Sequence, residues 1–165
     1  MTVVRRIRPG EGAALRNVRL AALADAPSAF GSTYAEESLL TAGDWAGRAA
    51  AASAGPERAT FFAVDDDAIV GLVGGYRPEP VSTRIELVSM WTRPVARRTG
   101  VGRLLIGAVL DWAKACGGQA VVLWVTRGNV GAENLYRAMG FVDANEYQPL
   151  PSDPCRAEVR MRLDL

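Results

Sequence analysis

The most informative part of the chain is Pro94-Val-Ala-Arg-Arg-Thr-Gly-Val-Gly102. A strand-like run over Arg84–Thr92 precedes it, and an amphipathic run over Val101–Ala115 follows it. An arginine-rich turn where a helix begins favours an anion, because the first N–H groups of a helix lack partners within it and the macrodipole adds positive charge there. Glycine also lets the backbone approach a ligand closely. The stretch therefore predicts a phosphate or pyrophosphate site between a strand and a helix.

Size and composition indicate one globular domain with no bulk attraction to polyanions. The chain has 165 residues, of which 49% are hydrophobic and 22% are charged, which is ordinary for a folded domain. We therefore expect residues 1–165 to form a single domain. The formal net charge is +1, so neither nucleic acid nor an anionic membrane surface is expected as a partner. Any anion must be recognised locally.

The sequence shows no targeting or disulfide pattern. Residues Met1 to Arg6 lack the charged segment and apolar core that are typical of a signal peptide. No apolar run reaches the roughly 18 to 20 residues that span a bilayer. The two cysteines, Cys116 and Cys155, form no C-x-x-C motif and cannot build a disulfide framework. We expect a cytoplasmic protein.

The absence of histidine restricts the chemistry available to this chain. Without a single histidine, Ser-His-Asp and Cys-His mechanisms are excluded, as are zinc sites that need imidazole. With only two cysteines, a structural zinc is not expected either, and we predict no metal. Proton transfer near neutral pH must then use a carboxylate, a tyrosine, a chain terminus or water.

The order of elements predicts a mixed α/β fold. Alternation along Arg84–Thr92 places Glu86, Val88 and Met90 on one face of a strand, opposite Leu87, Ser89 and Trp91. The other predicted elements are a strand over Thr2–Arg8, a helix over Ala13–Ala24, a helical region over Thr33–Ala52 broken near Gly43, a hairpin over Thr60–Tyr76 turning at Asp65–Asp67, a buried strand over Ala120–Val125, a helix over Gly131–Met139 and a strand with one wet face over Arg156–Leu163.

Two segments together resemble the GCN5-related N-acetyltransferases. The first is the Arg-x-x-Gly-x-Gly pattern formed by Arg97, Gly100 and Gly102, with Pro94 ahead of it. The second is Asn129-Val-Gly-Ala-Glu-Asn-Leu-Tyr-Arg-Ala-Met-Gly-Phe141. The resemblance implies a mostly antiparallel central sheet flanked by helices, in which two parallel central strands splay apart. It also implies that acetyl-CoA lies in the cleft between those strands.

The resemblance also assigns the residues that contact acetyl-CoA. Backbone groups of Met90, Trp91 and Thr92 would bond the pantetheine arm, and Asn129 would touch the cofactor or cap its helix. Arg98 stands where the family commonly has glycine, and we interpret it as tolerated there and as a contact for a CoA phosphate. The pyrophosphate would be held by Arg97, Arg98, Thr99, Gly100, Val101, Gly102 and Arg103.

The resemblance implies acetyl transfer to a primary amine by direct attack. A lysine-like amine is neutral in only about one molecule in 2,500 at pH 7, so a general base helps, often through water. Glu86 is the predicted base, with an exposed carboxylate paired with Arg84 as the alternative. Tyr136 is the predicted acid that donates a hydrogen bond or proton to the departing thiolate. Its alternative is a ring packed in the core.

Recognition of the acceptor is expected in the N-terminal part of the chain. Phe30, Tyr34 and Tyr76 are the predicted substrate-binding residues, in company with Glu36, Glu37 and Trp45, although the same residues also describe an amphipathic helix with a solvated face. The resemblance implies that the acceptor is a small amine or a peptide amine. A non-catalytic CoA-binding module and a transferase of larger acyl groups stay open, as does a homodimer through the terminal strands. A Rossmann domain is excluded, because no Gly-x-Gly-x-x-Gly follows the first strand.

Overall fold

The computed structural model describes all 165 residues, which form seven strands and five α-helices. The strands are β1 Val3–Arg6, β2 Arg58–Asp65, β3 Ala68–Tyr76, β4 Arg84–Thr92, β5 Ala120–Thr126, β6 Val142–Leu150 and β7 Asp153–Asp164. The helices are α1 Gly12–Asp25, α2 Tyr34–Ser38, α3 Ala42–Ser53, α4 Val101–Ala115 and α5 Val130–Ala138. Short 3-10 turns occupy Pro27–Ala29 and Pro94–Ala96. None of the helices combines the length and the apolarity needed to cross a membrane.

The strands form one sheet in the order β1-β2-β3-β4-β5-β7-β6. Every neighbouring pair is antiparallel except β4 and β5, which run parallel. Helices α1 and α3 cover one face, and α4 covers the other. This architecture confirms the predicted mixed α/β fold with a mostly antiparallel sheet.

The central parallel strands separate after a short region of pairing. β4 pairs with β5 only from Arg84 to Glu86, opposite Ala120 to Val122. Beyond that point β4 keeps its bonds to β3 as far as Thr92, and β5 keeps its bonds to β7 as far as Thr126. A V-shaped gap therefore opens in the middle of the sheet, as the resemblance implied.

A bulge at Ser89 changes the facing of β4 inside this gap. Gly74 pairs with Val88 and Leu72 with Trp91, so two residues of β4 oppose one of β3. Ser89 takes a left-handed φ of 59°, which is a rare conformation for a residue other than glycine. Met90 consequently packs on the α4 side, and Trp91 joins the core under α1 and α3. The predicted strict alternation is therefore wrong beyond Val88, because a bulge shifts the period by one residue.

The predicted helical region after Thr33 forms two helices. Thr33 and Glu36 form the predicted capping box of α2, with reciprocal side-chain to backbone bonds. A second capping box, between Thr41 and Asp44, begins α3. The break therefore lies just before Thr41 and not at Gly43, because a threonine that caps a helix must stand outside it.

Candidate functional site

The turn before α4 presents a row of unpaired backbone donors. The N–H groups from Arg98 to Arg103 donate to no backbone carbonyl, and the helical bonds begin with Leu104 N to Gly100 O. Gly100 and Arg98 take left-handed φ values of 94° and 63°, which curve the turn. Thr99 Oγ1 donates to Ala96 O at 2.6 Å and closes it. Successive N–H groups at a helix N-terminus in this conformation form a concave anion site.

Arg97 is anchored beside this turn. Its Nε donates to Thr92 O at 3.2 Å, and its guanidinium pairs with Asp25, the last residue of α1. Trp91 Nε1 donates to the same carboxylate at 2.9 Å. The Trp91 hydrogen bond and then the Arg97 contact hold the pKa of Asp25 below its usual value, against the opposing effect of burial. Arg98 and Arg103 form no ion pair and stay available to an anion.

Gly102 is required by packing as well as by the turn. A Cβ atom at this position would lie 2.8 Å from Leu135 Cδ2 and 3.3 Å from Met90 Cε. The N-terminus of α4 therefore contacts both α5 and β4 with no room for a side chain. By contrast, a Cβ at Gly100 would meet nothing within 4 Å, so that glycine serves the backbone conformation alone.

A cavity of about 700 Å³, the first cavity, lies between this turn, the splayed end of β4 and α5. The predicted residues that line it are Met90, Trp91, Thr92, Arg97, Arg98, Gly100, Gly102, Arg103, Asn129 and Tyr136. Thr99 and Val101 do not line it. Val101 is buried in the core under α4, and the Thr99 hydroxyl is turned into the loop.

Helix α5 brings Tyr136 to the wall of the first cavity. The residue is 6% exposed, and its ring makes an edge contact with Phe141 at 5.8 Å between centroids. Burial alone raises the pKa of the Tyr136 hydroxyl above its ordinary value, so the group is a neutral donor at physiological pH. Asn129 Oδ1 accepts a hydrogen bond from Ala132 N and caps α5, which confirms one of its two predicted roles.

A second cavity of about 420 Å³ lies on the far side of the gap and shares Trp124 and Ala29 with the first. Phe30, Tyr76 and Glu86 line it. Tyr34 lines neither cavity. As the first residue of α2 its side chain is turned to solvent, and it is 49% exposed. Trp45 is 1% exposed within the core under α1 and α3, so it cannot reach a ligand.

Glu86 is held by an arginine that the sequence did not assign to the site. Arg160 of β7 donates from Nη1 and Nη2 to the two Glu86 oxygens at 3.0 and 2.5 Å. The Arg160 guanidinium also lies over the Trp124 ring at 4.8 Å. Glu86 and Arg160 are each 7% exposed, so β7 does not have the predicted wet face at this position. The exposed pair with Arg84 is a minor feature, because Arg84 Nε lies 3.5 Å away.

A second ion-pair network joins α1 to the bulge of β4 at the side of the second cavity. Arg19 donates to Glu37 Oε2 at 2.7 Å, to Ser89 Oγ at 3.0 Å and to Ser32 Oγ at 3.0 Å. Its guanidinium stacks on Phe30 at 4.7 Å. Burial of Glu37 opposes its ionisation, but Arg19, Ser32 and Arg48 together outweigh burial and hold the pKa of that carboxyl below its usual value. The left-handed Ser89 is thereby tied to α1.

We expect Glu37→Gln to weaken this network in a pH-dependent way. Because the folded pKa of Glu37 is lowered, its contribution is present above the unfolded value of about 4.3 and is lost as the pH falls through the folded value. The variant should lose about 1–3 kcal/mol of unfolding free energy at pH 7. The difference from wild type should shrink below about pH 4. Denaturant unfolding between pH 3 and 8 measures it, with exposed Glu57→Gln as the control; a gap independent of pH would contradict the assignment.

Known acetyltransferases match this chain over the regions that form the candidate site. The model of the Acetyltransferase (GNAT) family matches residues 20–141. No curated protein sequence matches the chain. The structure is similar to an acetyltransferase of the GNAT family from Streptococcus pneumoniae, at 20% identity and a TM-score of 0.81, with 100% of both chains covered.

Two further solved structures share the fold. A GCN5-related N-acetyltransferase from Kribbella flavida is 24% identical at a TM-score of 0.77, with 99% of this chain and 98% of that chain covered. Spermidine N-acetyltransferase from Vibrio cholerae, solved with CoA and spermine, is 16% identical at a TM-score of 0.77, with 99% and 95% covered. The family match spans the turn before α4, the gap between β4 and β5, and α5. The chain belongs to the GNAT family of acetyltransferases.

Proposed function

We propose that this chain transfers the acetyl group of acetyl-CoA to the nitrogen of a primary amine by direct attack. The observation that carries the proposal is the gap between β4 and β5, which has a row of free backbone donors at one side and the buried Glu86 carboxylate at the other. Trp124 and Ala29 line both cavities, which are therefore neighbours. A donor bound in the first cavity and an acceptor bound in the second would therefore meet inside the gap.

The first cavity has the charge and the free backbone groups that CoA requires. The free N–H groups from Arg98 to Arg103 suit a pyrophosphate, and the guanidinium groups of Arg98 and Arg103 add positive charge for the phosphates. On the gap side, β4 has no strand partner beyond Glu86, so its backbone is free to bond an extended amide arm as an added strand would. When bound, acetyl-CoA supplies the electrophilic thioester.

Tyr136 is proposed to stabilise the departing thiolate by donating a hydrogen bond. A free phenol has a pKa near 10 and a thiol near 8.5, so full proton transfer is uphill by roughly 2 kcal/mol. Burial raises the pKa of Tyr136 further, which makes complete transfer still less favourable and keeps the donor protonated. A hydrogen bond from a fixed donor to a developing negative charge therefore accounts for its role better than loss of its proton.

Glu86 is proposed as the base, acting through water. Arg160 occupies one position on each carboxylate oxygen, and each oxygen retains a second lone pair. Arg160 therefore fixes the direction of the carboxylate without removing its ability to accept a proton from water. Glu86 lines the second cavity, where an incoming amine must lose a proton before or during attack.

Release of free thiol from acetyl-CoA tests this function. The purified chain is mixed with acetyl-CoA and, one at a time, polyamines, amino acids, aminoglycosides and peptides with free N-termini. Amine-dependent thiol release, with the acetylated nitrogen identified by mass spectrometry, supports the proposal. Calorimetric binding of CoA without turnover on any amine would indicate a non-catalytic CoA-binding module. Faster turnover with a longer acyl-CoA would identify a different acyl donor.

Gly100→Ala is expected to weaken CoA binding severalfold. An L side chain resists the left-handed φ of 94° at roughly 1–2 kcal/mol, so the turn would relax and its donors would no longer converge. Calorimetry with CoA measures the change. Gly107→Ala is the matched control, since Gly107 lies within the helix that Gly100 precedes, has open space for a Cβ and has no left-handed φ. Equal CoA affinities of the two variants would contradict the role of the turn.

A further inference from the structure

The second cavity contains one carboxylate whose charge no other side chain balances. Glu158 of β7 lines the cavity and is 7% exposed. Gln148 of β6 donates from Nε2 to Glu158 Oε2 at 2.7 Å, and no donor of the protein reaches Oε1. Although Glu158 lies two residues from Arg160 on the same face of β7, that arginine is engaged with Glu86.

The other carboxylate that lines this cavity, Glu86, has a buried partner, as has Glu37, which bonds to the lining residue Arg19. Glu86 is paired with Arg160, and Glu37 is paired with Arg19. Their additional partners, Arg84 and Arg48, are about half exposed and face solvent, where charges are well screened. Glu158 thus supplies the negative charge of the second cavity that stays available to a ligand.

A buried carboxylate without a counter-charge is costly, and a cation from outside the protein removes that cost. Gln148 is neutral, so it orients the carboxylate and leaves its charge intact. The register holds this arrangement in place, because Gln148 and Glu158 are direct partners on β6 and β7. The site is therefore built to receive a positive charge.

Glu158 also lies away from the end of the gap where β4 and β5 are still paired. Glu86 is level with Val122 of β5, whereas Glu158 is level with Thr126, which is about 13 Å further along the strand at 3.3 Å per residue. Trp124 lies between these two levels and forms the shared wall of the cavities. Because the Glu86 carboxylate reaches Arg160, which is two residues or about 7 Å from Glu158 along β7, one short acceptor can reach both carboxylates with two separate groups.

We propose that Glu158 binds a second, cationic group of the acceptor, so that preferred acceptors carry a positive charge several bonds from the reacting amine. The proposal rests on the proposed acetyl transfer and adds the class of acceptor. Glu158 determines specificity by binding charge and takes no part in proton transfer.

Matched acceptors of one chain length test the proposal. We expect 1,4-diaminobutane and 1,5-diaminopentane to exceed 1-aminobutane and 1-aminopentane at least tenfold in kcat/KM. Glu158→Gln should abolish this preference through KM, with kcat for the diamines changed less than about threefold. Glu146→Gln, an exposed carboxylate on neighbouring β6, is the control and should keep the preference.

Binding provides a readout that does not depend on turnover. Calorimetry of 1,4-diaminobutane with the CoA-saturated protein should show an affinity that Glu158→Gln lowers at least tenfold. Equal use of diamines and monoamines, or an unchanged preference in Glu158→Gln, would overturn the cation site and leave acetyl transfer standing. A fall in kcat for every acceptor with an altered pH profile would also overturn it, by showing that Glu158 acts in proton transfer. Absence of transfer with every amine would instead remove the proposed function, while calorimetry still decides whether the cation site exists.

Discussion

Replacement of Tyr136 by phenylalanine is expected to lower kcat for acetyl transfer about 100-fold or more, since removing one hydrogen-bond donor to a developing negative charge typically costs about 10²–10³-fold. The affinity for CoA should change less than about twofold, because the ring that lines the first cavity stays in place. The fold should also keep its stability. Burial is the sole cause of the raised Tyr136 pKa, so phenylalanine strands no hydrogen-bond partner.

The thiol-release assay and calorimetry with CoA separate these effects. Tyr147→Phe is the matched control, since Tyr147 is 54% exposed on β6 and lies outside both cavities. An unchanged kcat for Tyr136→Phe would leave Tyr136 as a packing residue and would require another donor for the thiolate. A parallel loss of CoA affinity would indicate that the hydroxyl binds the ground state and not the departing sulfur.

Replacement of Arg160 by methionine is expected to lower the free energy of unfolding by about 3–5 kcal/mol, because it leaves a buried carboxylate without its partner. Glu86 would keep only the contact from half-exposed Arg84 at 3.5 Å. The double variant Arg160→Met with Glu86→Leu should recover most of the loss, since an apolar pair of similar volume often replaces a buried ion pair without cost.

Denaturant unfolding of the two single variants and the double variant forms the cycle that isolates the pair. Arg162→Met is the control on the same strand, because its pair with Asp164 is exposed at 48% and 78% of the side chains and should contribute at most about 1 kcal/mol. Comparable losses in Arg160→Met and Arg162→Met would show that the buried pair is unimportant for stability.

The sequence predicts those parts of the fold and the site that depend on local signals. Arg97, Gly100 and Gly102 mark the turn before α4 because an anion site at a helix start needs glycine and positive charge within a few residues. Thr33 and Glu36 likewise mark the start of α2, since both halves of a capping box lie within one turn. Such features need no knowledge of the distant chain.

The sequence does not predict contacts that depend on the order of the strands. Glu86 and Arg160 are far apart in the chain and meet because β7 lies beside β5. Alternation shows that Glu158 and Arg160 share a face of β7 but not what covers that face. In the structure the segment after α1 covers it, held by Thr126 Oγ1 donating to Ser28 O at 2.6 Å and Ser152 Oγ donating to Phe30 O at 2.5 Å.

The cytoplasmic location, the single-domain organisation, a homodimer through the terminal strands and the expectation of no nucleic-acid or membrane partner all stay predictions. The identity of the amine acceptor is part of the proposed function. A family match shows acetyl transfer as the shared chemistry, whereas the acceptor is selected by side chains that differ between members of one fold.

The bulge at Ser89 gives β4 two duties that a regular strand could not combine. Before the bulge, Glu86 and Val88 face the second cavity; after it, Met90 and Thr92 line the first. Removing the extra residue would turn over the part of β4 that follows Val88. The part before it would keep its pairing with β3 and β5. Met90 would then face α1 and α3 together with Glu86, and Trp91 would face α4, so the one extra residue of β4 sets which side chains each cavity receives.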